Sequence, residues 1–400
     1  MDLNFKDKKA LVRVDFNVPL DSKTFKITDD TRIRAALPTL NKILSDGGAA
    51  IVMSHLGRPL KKTKEDGSIN VEKFTLKHVV EHVAELLNTK VHFCSDTVGE
   101  VAEKMAQQLP MGEVLIIENT RFSKGEKKGD EDFAKQLAKL GDVYVNDAFG
   151  TAHRAHASTT TVAKYFKKED KSFGYLMEAE IKNANKVLNN PERPLTAIIG
   201  GAKVSDKMLL LEKLIEFADN VIVGGGMAYT FMKAQGGDIG NSLVEDDRLE
   251  LANQLIIKAK TRGVKLLLPV DSVIADNFSN DANIEIKNSK SITEGWMGLD
   301  IGLEAIADFS KVVKNSKTIL WNGPMGVFEM SNFANGTKYI ATAVAEATKE
   351  GAFSLVGGGD SVAAVTQMEL NDDVSYVSTG GGAMLEFLEG KELPAIAAMS

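Results

Sequence analysis

The chain has 400 residues, of which 44% are hydrophobic and 26% charged, with 34 glycines and a formal net charge of −7. That length predicts two domains, and that acidity excludes nucleic acid as a bulk electrostatic partner. A single cysteine, Cys94, excludes an intrachain disulfide and reads as a small buried residue in a reducing, cytoplasmic setting.

The opening residues MDLNFKDKKA carry no apolar signal region. No unbroken apolar run reaches the ~18 residues of a membrane span, so no membrane partner is expected. The charges are unevenly placed. Every histidine lies before residue 157, as do Arg13, Arg32, Arg34, Arg58, Arg121 and Arg154; only Arg193, Arg248 and Arg262 follow. An acidic protein that gathers arginine and histidine in one half is suited to hold a small anion there.

Lys9 to Val14 (KALVRV) predicts a first strand, followed directly by Asp15, Phe16 and Asn17. Polar groups just past a strand's C-terminal end occupy the usual ligand position of an open α/β sheet, although Asp15 and Asn17 also suit a plain turn. A helix follows (DDTRIRAALPTLNKIL), with Asp29 or Asp30 as N-cap. Arg32 and Arg34 in its first turn oppose the helix dipole unless an anion sits there. Ala49 to Ser54 predicts a second strand, ending in His55-Leu56-Gly57-Arg58-Pro59. His78 and His82 stand four residues apart on a helix over 75–87. With no third ligand placed by spacing, they read as surface histidines and not as a zinc site.

Val114 to Glu118 predicts another strand, followed by Asn119, Thr120 and Arg121. Val143 to Val145 predicts a further one, followed by Asn146, Asp147 and then His153, Arg154 and His156. Four strand ends thus present Asp/Asn, His/Arg, Arg and His/Arg, and their convergence in a parallel sheet describes an anion pocket. Phe173 to Asn189 is a long helical pattern stopped by Asn190-Pro191-Glu192-Arg193-Pro194, which marks a domain boundary and a hinge element.

The second half repeats the strand–glycine–helix plan. Leu195 to Ile199 predicts a strand, followed by Gly200, Gly201, Lys203, Ser205 as N-cap, and a helix (MLLLEKLIEFA). Lys203 and Lys207 bracket that helix start, which reads either as a phosphate site or as an ordinary turn with solvated lysines. Val221 to Val223 runs into Gly224-Gly225-Gly226, and Val264 to Val270 predicts a strand ending in Asp271. Thr318 to Trp321 runs into Asn322 to Glu329, Phe353 to Val356 into Gly357 to Ser361, and Ser375 to Ser378 into Thr379 to Gly382. Glycine turns at helix starts are one way to hold nucleotide phosphates. Walker A, the protein-kinase motif set and G-x-G-x-x-G are all absent from the sequence.

The stretches RVDFNVP (13–19), HLGRP (55–59), ENTRF (118–122), NDAFGTAHRAHAS (146–158), GGAKVSDK (200–207), GGGMAYTF (224–231), WNGPMGVFE (321–329), GGGDS (357–361) and STGGGAMLEFLEGKELP (378–394) together resemble the phosphoglycerate kinase family. The resemblance runs in order from end to end. It implies an α/β protein of two Rossmann-like domains, each a mostly parallel sheet flanked by helices, joined by a hinge helix. The implied bounds are 1–172 with a returning tail from about 388–400, a linker at 173–194, and 195–387.

The resemblance also implies a monomer that transfers a phosphoryl group reversibly between 1,3-bisphosphoglycerate and MgADP, giving 3-phosphoglycerate and MgATP. The implied glycerate contacts are Asp15, Phe16, Asn17, Arg32, His55, Leu56, Gly57, Arg58, Arg121 and Arg154. The implied nucleotide contacts are Lys203, Lys207, Gly226, Gly298, Asn322, Pro324, Gly326, Val327, Glu329, Gly358, Gly359, Asp360 and Ser361, with Asp360 as the magnesium ligand. Arg32, Lys207 and the amides of Gly380, Gly381 and Gly382 are expected to steady the transferred group. The acceptor carboxylate is already ionised, so no general base is expected. The arginine cluster alone also fits a kinase acting on another phosphorylated acid or carbamate. A nucleotide-binding regulatory protein without catalysis is the reading from a different class, against which Arg32, Lys207 and Asp360 all stand.

Overall fold

Near-continuous apolar runs become strands buried on both faces. The first part of the chain holds β1 (Lys9–Val14), β2 (Ala49–Met53), β3 (Val91–Cys94), β4 (Val114–Ile117), β5 (Val143–Asp147) and β6 (Lys171–Phe173), of which β1, β2, β4 and β5 are such buried runs. They form one sheet in the order β3-β4-β2-β1-β5-β6, with every neighbouring pair parallel. Alternate side chains enter opposite cores: Val12 and Val52 pack with Ile33 and Leu40 on one face, Leu11 and Ile51 with Leu115 and Tyr144 on the other. Cys94 is buried, as expected. Arg13, in the middle of this apolar run, is buried as completely as its neighbours.

The second part contributes β7 (Leu195–Ile199), β8 (Asn220–Val223), β9 (Asp238–Ile239), β10 (Lys265–Leu267), β11 (Asp271–Ala275), β12 (Ile284–Asn288), β13 (Ser291–Ile292), β14 (Met297–Ile301), β15 (Thr318–Asn322), β16 (Phe353–Val356) and β17 (Tyr376–Val377). The main sheet, β10-β8-β7-β15-β16-β17, is again parallel throughout. A smaller antiparallel sheet, β12-β11-β14, and the pair β13-β9 stand apart from it. The computed structural model describes residue 1 and residues 3–400. The chain is α/β, with helices on both faces of its parallel sheets, and it divides into two units, Met1–Lys182 with Glu392–Ser400 and Asn183–Lys391. That division falls within the helix Tyr175–Leu188. Among the described residues no helix is long and apolar enough to cross a membrane.

Two local expectations are corrected. The strand expected over 264–270 stops at Leu267, and Asp271 opens β11 in the other sheet. Pro269, between them, has no N–H for a ladder. The Asp271 carboxylate accepts from Glu304 and Ala305 N–H at 3.2 and 2.8 Å, so it caps a helix. Ser205 is not an N-cap either. Its N–H and hydroxyl bond the Glu245 carboxylate at 3.0 and 2.6 Å, and the helix starts only at Met208, with Lys207 in the capping position. Lys203 therefore lies outside the first turn, where the dipole argument does not reach it.

Candidate functional site

Parallel strands deliver their C-terminal ends to one edge, and in the first unit polar groups there bind one another across strands. Arg32 donates from Nη1 to Asp15 Oδ2 at 3.2 Å and to the Asn17 carbonyl at 3.1 Å. Asn17 Oδ1 accepts from Gly57 N–H at 2.8 Å, and Arg121 Nη1 donates to the Gly57 carbonyl at 2.8 Å. Asn119 braces the same turn by donating to the Leu56 and Phe74 carbonyls, both at 2.8 Å. His55 Nδ1 lies 3.9 Å from Asp15. Asp15, Asn17, Arg32, His55, Gly57 and Arg121 thus form one cluster. Phe16 and Leu56 are buried beneath it, with Phe16 N–H donating to Ser54 Oγ at 2.8 Å. Arg58 and Arg154 are exposed. Arg154 donates to His153 Nε2 at 3.1 Å.

The cations of this unit crowd one another. Burial first, then the Arg13 charge, pushes the Arg121 guanidinium down to about 10. Burial and then Arg121 hold His156 down to about 3, and burial and then Arg121 lower Lys127. Burial followed by Arg13, Arg121 and Arg32 holds His55 well below its ordinary value. Cations that repel one another in a partly dry site gain by binding an anion.

Sequence reasoning missed what lies beneath. Arg13 donates from Nε to Ser158 Oγ at 2.8 Å, from Nη1 to the Val14 carbonyl, and from Nη2 to His55 Nδ1 at 3.2 Å. Ser158 is held by buried Glu126 through its hydroxyl at 2.6 Å and its N–H at 3.0 Å. The available signal was an arginine interrupting the apolar run of β1.

In the second unit, a cavity of about 460 Å³ is lined by Gly226, Gly298, Pro324, Gly326, Val327, Glu329 and Asp360. Tyr229, Leu243, Phe278, Leu299 and Asp300 also line it and were not anticipated. Two of the glycines are there for close packing. A Cβ on Gly298 would stand 1.8 Å from the Tyr229 hydroxyl, and one on Gly323, at φ +106°, would stand 2.1 Å from the Gly200 carbonyl. Gly359 and Gly381, by contrast, face open space. Burial pushes the Asp300 carboxyl up to about 7, against the opposing bonds from Gly336 and Ile301 N–H.

A second group of expected residues lies apart from the cavity wall. Lys207 Nζ donates to Asn322 Oδ1, and Asn322 Nδ2 donates to the Gly357 carbonyl at 2.9 Å. A Cβ on Gly358 would crowd the same amide at 2.8 Å, and Ser361 Oγ accepts from Gly323 N–H. Burial lowers the Lys207 pKa, opposed first by the charge of Asp360. Asp360 therefore belongs to both groups. Lys203 is exposed. The Gly380 amide is taken by Ser378 Oγ at 3.0 Å, which removes it from the expected set of free donors. Gly381 and Gly382 stand at the start of the helix Gly382–Leu388.

Among the described residues no group of three or more His, Cys, Asp or Glu is arranged to hold a metal. Asp360 is a lone exposed carboxylate in the first turn of the helix Gly359–Gln367. One carboxylate fits magnesium, which commonly takes its other ligands from water and phosphate.

The family model for phosphoglycerate kinase matches residues 1–391. Phosphoglycerate kinases of Porphyromonas gingivalis and Chloroherpeton thalassium are 52% and 54% identical, over 99% and 100% of this chain and 98% of each relative. The solved phosphoglycerate kinase of Coxiella burnetii matches with a TM-score of 0.88 at 42% identity, covering 100% of this chain and 97% of its own. That of Pyrococcus horikoshii matches with a TM-score of 0.82 at 30% identity, over 100% and 97%. The two parallel sheets, the cationic cluster and the glycine-walled cavity are therefore those of a chain that belongs to the phosphoglycerate kinase family.

Proposed function

We propose that the chain transfers a phosphoryl group reversibly between 1,3-bisphosphoglycerate and ADP, with the glycerate substrate on the cationic cluster of the first unit and the nucleotide in the cavity of the second. The observation that carries this assignment is the crowding of Arg13, Arg121, Arg154 and Lys127, each of which acts electrostatically on a neighbouring cation or imidazole of the first unit. The apolar wall of Leu243, Leu299, Pro324 and Val327 suits a purine, and exposed Glu329 suits the ribose hydroxyls.

The attacking carboxylate of 3-phosphoglycerate is ionised at neutral pH, so the residues need only position and neutralise. Arg58, Arg121 and Arg154 hold the substrate's charged ends. Arg32 keeps a single-point contact with Asp15 and a side chain 41% exposed, which leaves it free to turn toward the moving phosphoryl group. Lys207 is bonded to a neutral amide, so its charge remains for that group. Gly381 and Gly382 add backbone amides.

Asp360 would hold magnesium, which would supply positive charge against the nucleotide phosphates. Transfer requires the reacting atoms to come within about 3–3.5 Å, and the segment 173–194 is read as the hinge that allows it. The protein is read as a cytoplasmic monomer. A coupled assay with 3-phosphoglycerate and MgATP tests the function: turnover is expected, and its absence overturns the reading.

A further inference from the structure

Arg13 is wholly buried, and no step of the transfer has yet involved it. Its three nitrogens each donate one bond: to Ser158 Oγ, to the Val14 carbonyl, and to His55 Nδ1. A guanidinium carries only donors and keeps its proton in proteins. His55 Nδ1 must therefore accept. A ring that accepts at Nδ1 is neutral and carries its proton on Nε2. Protonating Nδ1 would break this bond and leave two buried cations face to face.

We propose that Arg13 is a positioning residue that locks His55 as the neutral Nε2–H tautomer, so that His55 meets the anionic substrate as a hydrogen-bond donor and not as a cation. The inference rests on the reading of the first-unit cluster as the 3-phosphoglycerate site.

The groups around the ring agree. Arg13 and Asp15 face it from the end of β1, Arg32 from the helix Thr31–Ser45, Arg121 from the turn after β4, and His156 from the segment after β5. Only one of these, Asp15, is anionic, and its carboxylate is already engaged by Arg32 at 3.2 Å and by Asn17 N–H at 3.1 Å. Asp15 Oδ1 stands 3.9 Å from Nδ1, too far to receive a proton from it. Burial and the three guanidiniums hold the His55 pKa well below its ordinary value.

Arg13 is fixed from behind by Ser158 and buried Glu126, so its Nη2–H cannot swing away from the ring. The ring keeps 3% exposure, and Nε2 has no protein partner among the described residues, which leaves its N–H to a ligand. A neutral donor suits a cluster already crowded with guanidiniums, because it adds a directional bond without further repulsion.

The test reads the ring nitrogens of His55 by long-range proton–nitrogen correlation NMR in the full-length protein, from about pH 5.5 to 8, with and without 3-phosphoglycerate. The expected result is an unprotonated Nδ1 and a protonated Nε2, neither titrating in that range, with Nε2 shifting when 3-phosphoglycerate binds. A protonated Nδ1, or a titration within the range, overturns the inference even if turnover is normal. An Nε2 unmoved by ligand while other first-unit resonances respond removes His55 as the donor. If no first-unit resonance responds at all, the assignment of the pocket falls while the tautomer stands.

Arg13→Met separates positioning from mere packing. Losing the Arg13 donor should free Nδ1, so that His55 in the variant shows both neutral tautomers in the nitrogen spectrum and no longer Nε2–H alone, while burial still holds its pKa down. A His55 that stays wholly Nε2–H in that variant contradicts the proposal. If the variant does not fold, the spectra of the unsubstituted protein decide alone.

Discussion

The two units meet anions in different ways. The first offers charged side chains: guanidiniums crowd at the ends of β1, β2 and β4, bound to carbonyls and one carboxylate, and burial followed by the Arg13 charge lowers the basicity of Arg121. The second offers backbone and shape, with glycines that let loops approach within packing distance and Lys207 half-buried on the Asn322 amide. A small, highly charged acid offers little surface beyond its charges, so guanidinium forks suit it. A nucleotide offers an apolar base as well, which suits a cavity walled by Leu243, Leu299, Pro324 and Val327.

The predictions sharpen this contrast in order of size. Lys207→Ala should cost at least about 2–3 kcal/mol of transition-state stabilisation, because Lys203, the other lysine expected at this helix start, is exposed. A near-normal kcat would show that backbone alone suffices there. Arg32→Ala should lower kcat on the order of 100-fold while changing KM for 3-phosphoglycerate less, since the other arginines keep the ground state bound. Equal effects on both constants would make Arg32 a plain binding residue. Gly298→Ala would push a methyl into the Tyr229 hydroxyl, a clash costing about 1–3 kcal/mol. It should raise KM for ADP and leave KM for 3-phosphoglycerate unchanged; an effect on the latter would break the separation of the sites.

Acidification should separate the units further. His55 and His156 are neutral when folded, and His156 stays so down to about 3. Unfolded, each takes a proton near its ordinary 6.5, so the first unit loses stability as pH falls below that value, by up to about 1.4 kcal/mol per unit per histidine. Asp147, raised to about 6 by burial, opposes this with one proton against two. Asp300 folds with its carboxyl raised to about 7 from an ordinary 3.8, so the second unit gains stability as pH falls through that window. Hydrogen exchange of the whole protein near pH 7 and pH 5 should show protection falling in the first unit and rising in the second. A shift in the same direction in both would contradict the assignment of these buried groups.

Much of this was legible in the sequence, where the residues carry their reason locally. The central strands of both main sheets are buried on both faces, so KALVRV, LTAII and TILWN read as predominantly apolar runs. The convergence of Asp15, His55 and Arg121 followed from their places at strand ends. Other features depend on partners far along the chain. Ser205 has a helix-capping residue type, but Glu245, forty residues on, takes both its N–H and its hydroxyl. Tyr229 and Leu299 wall the cavity, yet their residue types look like core. Strand β12 is exposed along its whole length, so no alternation of buried and exposed residues announces it. Arg13 was visible, but its role lies in Ser158 and His55, which only the fold brings to it.

The central claim is that charge holds the glycerate substrate in the first unit and backbone holds the nucleotide in the second. Hydrogen exchange of the full-length protein, with 3-phosphoglycerate alone and then with MgADP alone, tests it most directly. The account predicts that 3-phosphoglycerate slows exchange around Asp15–Asn17, His55–Arg58 and Asn119–Arg121, and that MgADP does so around Gly224–Gly226, Gly298–Asp300 and Asn322–Glu329. Protection of the second-unit cavity by 3-phosphoglycerate alone, or of the first-unit cluster by MgADP alone, would contradict it.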